Sequence, residues 1–144
     1  MTRRFNLDDT SLIPHGGHAR FVEEVVELGD GEIVCIGRIP AESPFAPDGV
    51  APGFVLLELA AQAAAIEVVA RVQGDGPWSR IGFVARAHGL NWTSTGVPAN
   101  APLRTRVLRQ ESLPPLYRYR ASVNCDGVEV FRGDFSIYID FEAS

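Results

Sequence analysis

The sequence predicts an α+β domain in which one long apolar helix is wrapped by a curved antiparallel sheet of about six strands. Three observations predict it. The run from Phe54 to Ile66 is apolar nearly all round, which marks a helix enclosed by the fold and not one lying on its surface. On both sides of it the chain alternates apolar and polar residues at period two, the pattern of strands with one covered face. A single helix then has to cover every strand, and a sheet curling around it is the natural packing.

The elements follow in order. Residues 1–11 are a polar lead-in to one domain spanning 1–144, and residues 12–20 contain Ile13-Pro14-His15-Gly16-Gly17-His18, a shaped loop. Phe21 to Leu28 and Glu32 to Ile39 are β-branched runs around Gly29-Asp30-Gly31, which reads as a hairpin. Residues 40–52 hold Pro40, Pro44, Pro47 and Pro52 and are expected to form a long loop with no regular element. The helix is expected from Gly53 to Val72, stopped by Gln73-Gly74-Asp75-Gly76-Pro77. A short strand follows over Ile81 to Ala87. Leu103, Thr105 and Val107 then alternate with arginines, as do Tyr117, Tyr119, Ala121 and Val123 with polar residues. Phe131, Phe135, Ile137 and Ile139 share one face of the last strand, and Asp126-Gly127 before it is a type I′ hairpin signal.

Composition sets bounds on function. A chain of 144 residues can bury a real core. Its net charge of −5 argues against a nucleic-acid partner. Cys35 and Cys125 have no metal-ligand spacing, so no metal site is expected; both read as buried apolar residues in a reducing compartment, not a disulfide. The start of the chain lacks the apolar core of a signal peptide, and the helix is too short and interrupted to span a membrane. A cytoplasmic protein without membrane association is expected.

Glu58 is the only charged residue between Phe54 and Ile66. A carboxylate among leucines and alanines needs a partner or a task, and burial would favour its protonated form. Gln62 lies one turn on, on the same face, so the two make a polar stripe on an oily helix. That stripe is either a proton-transfer site or a Glu–Gln hydrogen bond with no further role. Gly53, at the helix start, admits close approach of a ligand to the backbone, with the helix dipole behind its N–H. Otherwise Pro52-Gly53 only turns the chain into the helix. His15 and His18 share a loop; His88 precedes Gly89 and reads as structural, at a strand end. Arg104, Arg106, Arg118 and Arg120 face outward, where a solvated sheet face is the simpler reading than a dock for an acidic partner.

Two stretches resemble a known family. Ile13-Pro14-His15-Gly16-Gly17-His18 before the first strand is similar to the opening of the β-hydroxyacyl-[acyl-carrier-protein] dehydratases, which have the hot-dog fold. Their central motif, a Pro-Gly opening the helix, an acid five residues after the Gly and an Ala-Gln following, resembles Pro52-Gly53, Glu58 and Ala61-Gln62. The resemblance covers roughly residues 12–140. The usual Gly-His-Phe-Pro segment before the Pro-Gly is shortened here, and residues 46–51 contain no His. This shorter loop looks like the branch associated with aryl-polyene and related pathways.

The resemblance implies dehydration of a β-hydroxyacyl thioester on an acyl carrier protein, within lipid synthesis. Glu58 and a relocated base, His15, would be catalytic, with Pro52, Gly53 and Gln62 binding substrate. No metal or cofactor would be required beyond the phosphopantetheine or CoA that carries the acyl group. A homodimer, or a heterodimer with a hot-dog paralogue, is implied. A noncatalytic partner subunit and a hot-dog acyl thioesterase are the alternatives.

Overall fold

The computed structural model describes residues 21–72, 78–93 and 96–143, with the side chains of 72, 78–83 and 140–143 excepted. Strand β1 (Val22–Gly29) turns at Asp30-Gly31 into β2 (Glu32–Gly37), with Gly31 at φ 79°. A 3-10 turn (Pro47–Gly49) and the short β3 (Val50–Pro52) lead to the helix α1 (Val55–Val72). Then come β4 (Trp78–Trp92), the short β5 (Gly96–Pro98), β6 (Leu103–Leu113), β7 (Leu116–Cys125) and β8 (Val128–Ala143). The main sheet has six antiparallel strands in the order β1-β2-β6-β7-β8-β4, and α1 packs on one face of it.

Asp126 and Gly127 both have positive φ, 51° and 76°, as a type I′ turn requires, and they join β7 to β8. The alternation along β6, β7 and β8 sends Leu103, Val107, Tyr119, Ala121, Val123, Phe131 and Phe135 inward. They meet Leu56, Leu59, Ala60, Ala63, Ala64 and Ile66 of α1, all fully buried. Each large side chain buried this way contributes about 1.5–3 kcal/mol. The alanines let the helix lie close to the sheet.

Three expectations need correction. Residues 50–52 are a strand, not loop: Val50–Pro52 pairs with Gly96–Pro98 in a separate two-stranded ribbon. A ribbon has two open edges, so a proline that lacks an N–H can still join it. Second, β4 runs over fifteen residues, not the seven expected. Irregularities between Val84 and Arg86 and between His88 and Asn91 interrupt the alternation along it, so its full length does not show as one period-two run. His88 therefore stands inside a strand and not at its end. Third, Cys125 is only partly buried, whereas Cys35 is fully enclosed and both thiols are free.

The helix also carries a buried charge that the pattern of apolar residues concealed. Glu67 is 1% exposed. It accepts a hydrogen bond from the Tyr119 hydroxyl (2.7 Å), from Nη1 of Arg109 (3.1 and 3.2 Å to its two oxygens) and from Nε of Arg71 (3.1 Å). Arg109 also reaches Asp30 at 2.9 Å. The signal was present in the sequence: alternation from Leu103 puts Arg109 on the inner face, and Glu67 and Arg71 are one turn apart. The expected stop of the helix over Gln73–Pro77 and the lead-in 1–20 lie outside the described residues.

Candidate functional site

The first turns of α1 form one wall of a cavity of about 470 Å³. Phe54, Val55, Leu57 and Glu58 line it from the helix side, and Phe21, Phe45 and Val84 face them. Among the described residues the lining is apolar apart from Glu58. Phe21 and Phe45 meet edge to face, ring centroids 5.9 Å apart. Such a chamber suits a hydrocarbon chain with one polar group at its mouth.

Glu58 is half-buried, not enclosed as the apolar run suggested, because its side of the helix faces this cavity. Gln62 is buried and holds it: Nε2 of Gln62 donates to Glu58 Oε1 at 3.2 Å. The other end of the same amide, Oε1, accepts from the backbone N–H of Phe21 (2.9 Å) and of Val22 (3.4 Å). Gln62 thereby ties the start of β1 to the helix and fixes the rotamer of Glu58. The polar stripe of the sequence is thus a relay from strand backbone to carboxylate.

Gly53 lies just before α1, and Pro52 pairs with Gly96 in the short ribbon. The Gly53 carbonyl accepts the N–H of Leu56 at 3.0 Å, so the first turn is already wound there. Leu57 likewise bonds the Phe54 carbonyl at 3.1 Å, so a ligand at this helix start would meet the N–H groups that precede Leu56, with the dipole behind them. The Trp92 indole rests on Gly53: a Cβ built there would stand 2.7 Å from the Trp92 ring. Trp92 Nε1 donates to the Gly53 carbonyl at 2.6 Å, and its ring packs on Phe131, centroids 5.5 Å apart. Sequence reasoning passed over Trp92. It lies thirty-nine residues from Gly53, and nothing in a β-strand pattern tells which aromatic will reach a glycine.

His88 is exposed, 3.8 Å from Asp134 and on the outer sheet face, away from Glu58. His15 and His18 lie outside the described residues. The outward arginines face acids on the same surface: Arg106 bonds Glu32 at 2.8 Å, Arg118 stands 3.5 Å from Glu111, and Arg120 bonds Asp134 at 3.0 Å. The Arg120 hydrogen bond holds the Asp134 carboxyl below the usual range. This face is largely self-neutralised, in keeping with the solvated-surface reading. Among the described residues no group of three or more His, Cys, Asp or Glu is placed to hold a metal ion, and no helix is long and apolar enough to cross a membrane.

The architecture recurs in solved structures. A chain of the dehydratase heterocomplex ApeI:P from Xenorhabdus doucetiae superimposes with a TM-score of 0.79 at 20% identity, over 94% of this chain and 91% of that one. A hypothetical thioesterase with coenzyme A from Streptococcus pneumoniae gives 0.61 at 16% identity, covering 84% and 88%. A protein from Helicobacter felis gives 0.65 at 15%, covering 94% and 90%. At such identities these likenesses show the fold, a single hot-dog domain. No curated protein matches the chain. The model of one family, the ApeP dehydratases, does match, over residues 8–143, and by that match this chain belongs to the ApeP-like family of dehydratases.

Proposed function

We propose that the chain dehydrates β-hydroxyacyl thioesters, presented on an acyl carrier protein, to trans-enoyl thioesters. The observation that carries this reading is one braced carboxyl, Glu58, at the mouth of an apolar chamber beside a helix start. The acyl chain lies against Phe21, Phe45 and Phe54. The thioester carbonyl sits on the Gly53 N–H, where the helix dipole stabilises the developing enolate oxygen. His15 removes the α-proton; the β-carbon–oxygen bond breaks; the departing hydroxyl takes the Glu58 proton and leaves as water. The proton on His15 and the vacancy on Glu58 are reset by exchange before the next turnover. Pro52 shapes the approach to Gly53, and Gln62 orients Glu58. Beyond the carrier's phosphopantetheine, or CoA in its place, no cofactor takes part.

The working unit is a dimer, in the cytoplasm, within lipid synthesis. Leu57, Ala61 and Ala65 form a half-buried apolar stripe on α1. Phe54, Val50 and Trp92 nearby are 61%, 53% and 37% exposed. The long β4 is an edge of the sheet, and an open edge invites a partner strand. The partner is a second copy or a hot-dog paralogue. The solved dehydratase similar to this chain is part of a heterocomplex, and residues 46–51 hold no His, which together support a second reading: a subunit that acts only with its paralogue.

An assay of the purified chain alone, and mixed with a paralogous subunit, on 3-hydroxyacyl and crotonyl thioesters separates the readings. Turnover by the chain alone is expected. Turnover only in the mixture selects the subunit reading. Thioester hydrolysis in place of dehydration would overturn both.

A further inference from the structure

We infer that Trp92 is the positioning residue that fixes the peptide geometry of Gly53, and so the aim of the N–H groups that open the helix. The inference rests on the carbonyl-binding role given to Gly53 above. Glycine has more backbone freedom than any other residue, so an N–H on a glycine is aimed only if something else holds the residue. Here one side chain holds it twice. The indole ring lies 2.7 Å from where a Cβ would stand, closer than such atoms approach one another, so a side chain at 53 would have to displace the indole. Its Nε1–H donates to the Gly53 carbonyl at 2.6 Å, beside the Leu56 N–H that bonds the same oxygen at 3.0 Å; this holds the peptide that carries the Phe54 N–H, and with it the Cα from which the Gly53 N–H is aimed.

Trp92 is itself well placed to act as a reference point. It ends β4, paired with Phe131 of β8, and its ring packs on the Phe131 ring, itself fully buried. The hydrogen bond therefore transmits the position of the sheet to Gly53, at the start of the turn that carries Glu58 five residues on. Pairing of β3 with β5 tethers the chain on the other side of Gly53, at Pro52. The helix start is thus clamped from the ribbon and from the sheet. Neither Trp92 nor Gly53 is among the described residues that line the cavity; Phe54, next to Gly53, is. Preorganised donors lower a barrier because they need no reorganisation as charge develops, and a donor left free to swing loses that advantage.

The test compares wild type with Trp92→Phe, which keeps a ring and deletes the donor. Butyryl-pantetheine labelled with carbon-13 at its carbonyl reports polarisation without reacting. In the wild type its bound carbonyl resonance should move away from the free value. In Trp92→Phe the displacement should shrink, and kcat on a 3-hydroxyacyl thioester should fall about tenfold, the effect of one hydrogen bond, with KM within about twofold. Should Trp92→Phe fail to fold, benzothienylalanine at position 92 replaces only the N–H by sulfur and carries the same expectation. A variant with the wild-type carbonyl displacement and wild-type kcat would overturn the inference, and so would a wild type that leaves the carbonyl unmoved. A wild type that polarises the carbonyl, sensitively to Trp92, yet dehydrates nothing either alone or mixed with a paralogous subunit would sink the dehydratase reading and keep this one.

Discussion

Glu58 was the residue the sequence marked most clearly, and the structure gives it a cavity and a brace. What the sequence left out was its degree of exposure. An apolar run predicts a buried helix, but which stripe of that helix faces a chamber depends on Phe21, Phe45 and Val84, residues remote in the chain. If a histidine is the base, His15→Ala should abolish dehydration with folding intact, His18→Ala should reduce it less, and His88→Ala should hardly change it, read as kcat/KM on folded proteins. His88 anchors the last expectation, since it sits outside the sheet beside Asp134. The cysteines make a separate residue-scale prediction. Burial pushes the Cys35 thiol up to about 12, and the thiolate is the reactive form. Iodoacetamide at pH 8 should leave Cys35 unmodified in the native protein and label it only in denaturant, as peptide mass would record. Labelling of native Cys35 at the rate of a free thiol would contradict its burial.

Between elements, the decisive contact is the one that ties the far half of α1 to the sheet. Glu67 sits among Tyr119, Arg109 and Arg71. Glu67→Ala would leave two arginines facing an uncharged pocket. It should cost about 3 kcal/mol, the low end for breaking a buried ion pair, because both arginines keep some solvent contact. That corresponds to roughly 10 °C in Tm for a domain of this size. A loss under about 1 kcal/mol in urea unfolding would show that the network is incidental. Burial, with Glu67 beside it, raises the Tyr119 hydroxyl well above the ordinary 10.0 of tyrosine. The native phenol keeps its proton where the unfolded one releases it, so stability is whole below pH ~10 and declines as pH climbs past it. Tyr119→Phe should remove that part of the alkaline decline. The elements themselves were legible because hairpin turns and alternation are local: Asp126-Gly127 and the facing of β6 to β8 needed no tertiary information. The extent of β4 and the ribbon of β3 with β5 were not, since bulges and prolines obscure period two and the pairing spans more than forty residues.

At the scale of the whole fold, and among the described residues, α1 keeps a half-buried apolar stripe and β4 stands at an edge of the main sheet. Sedimentation at micromolar concentration should therefore give a dimer, alone or with a paralogue. Val50→Glu together with Phe54→Glu should shift it toward monomer while leaving far-ultraviolet circular dichroism unchanged. A monomer in the wild type under both conditions would remove the partner from the account. The central claim, that Glu58 transfers the proton which releases water, is tested most directly by the kinetics of Glu58→Gln. Glutamine keeps the volume of the side chain and its contact with Gln62, and cannot exchange a proton. The account predicts a folded protein whose kcat for 3-hydroxyacyl thioester dehydration is lower by ~10²–10⁴-fold, the cost of losing a general acid. A correctly folded Glu58→Gln within a few-fold of wild type would contradict it.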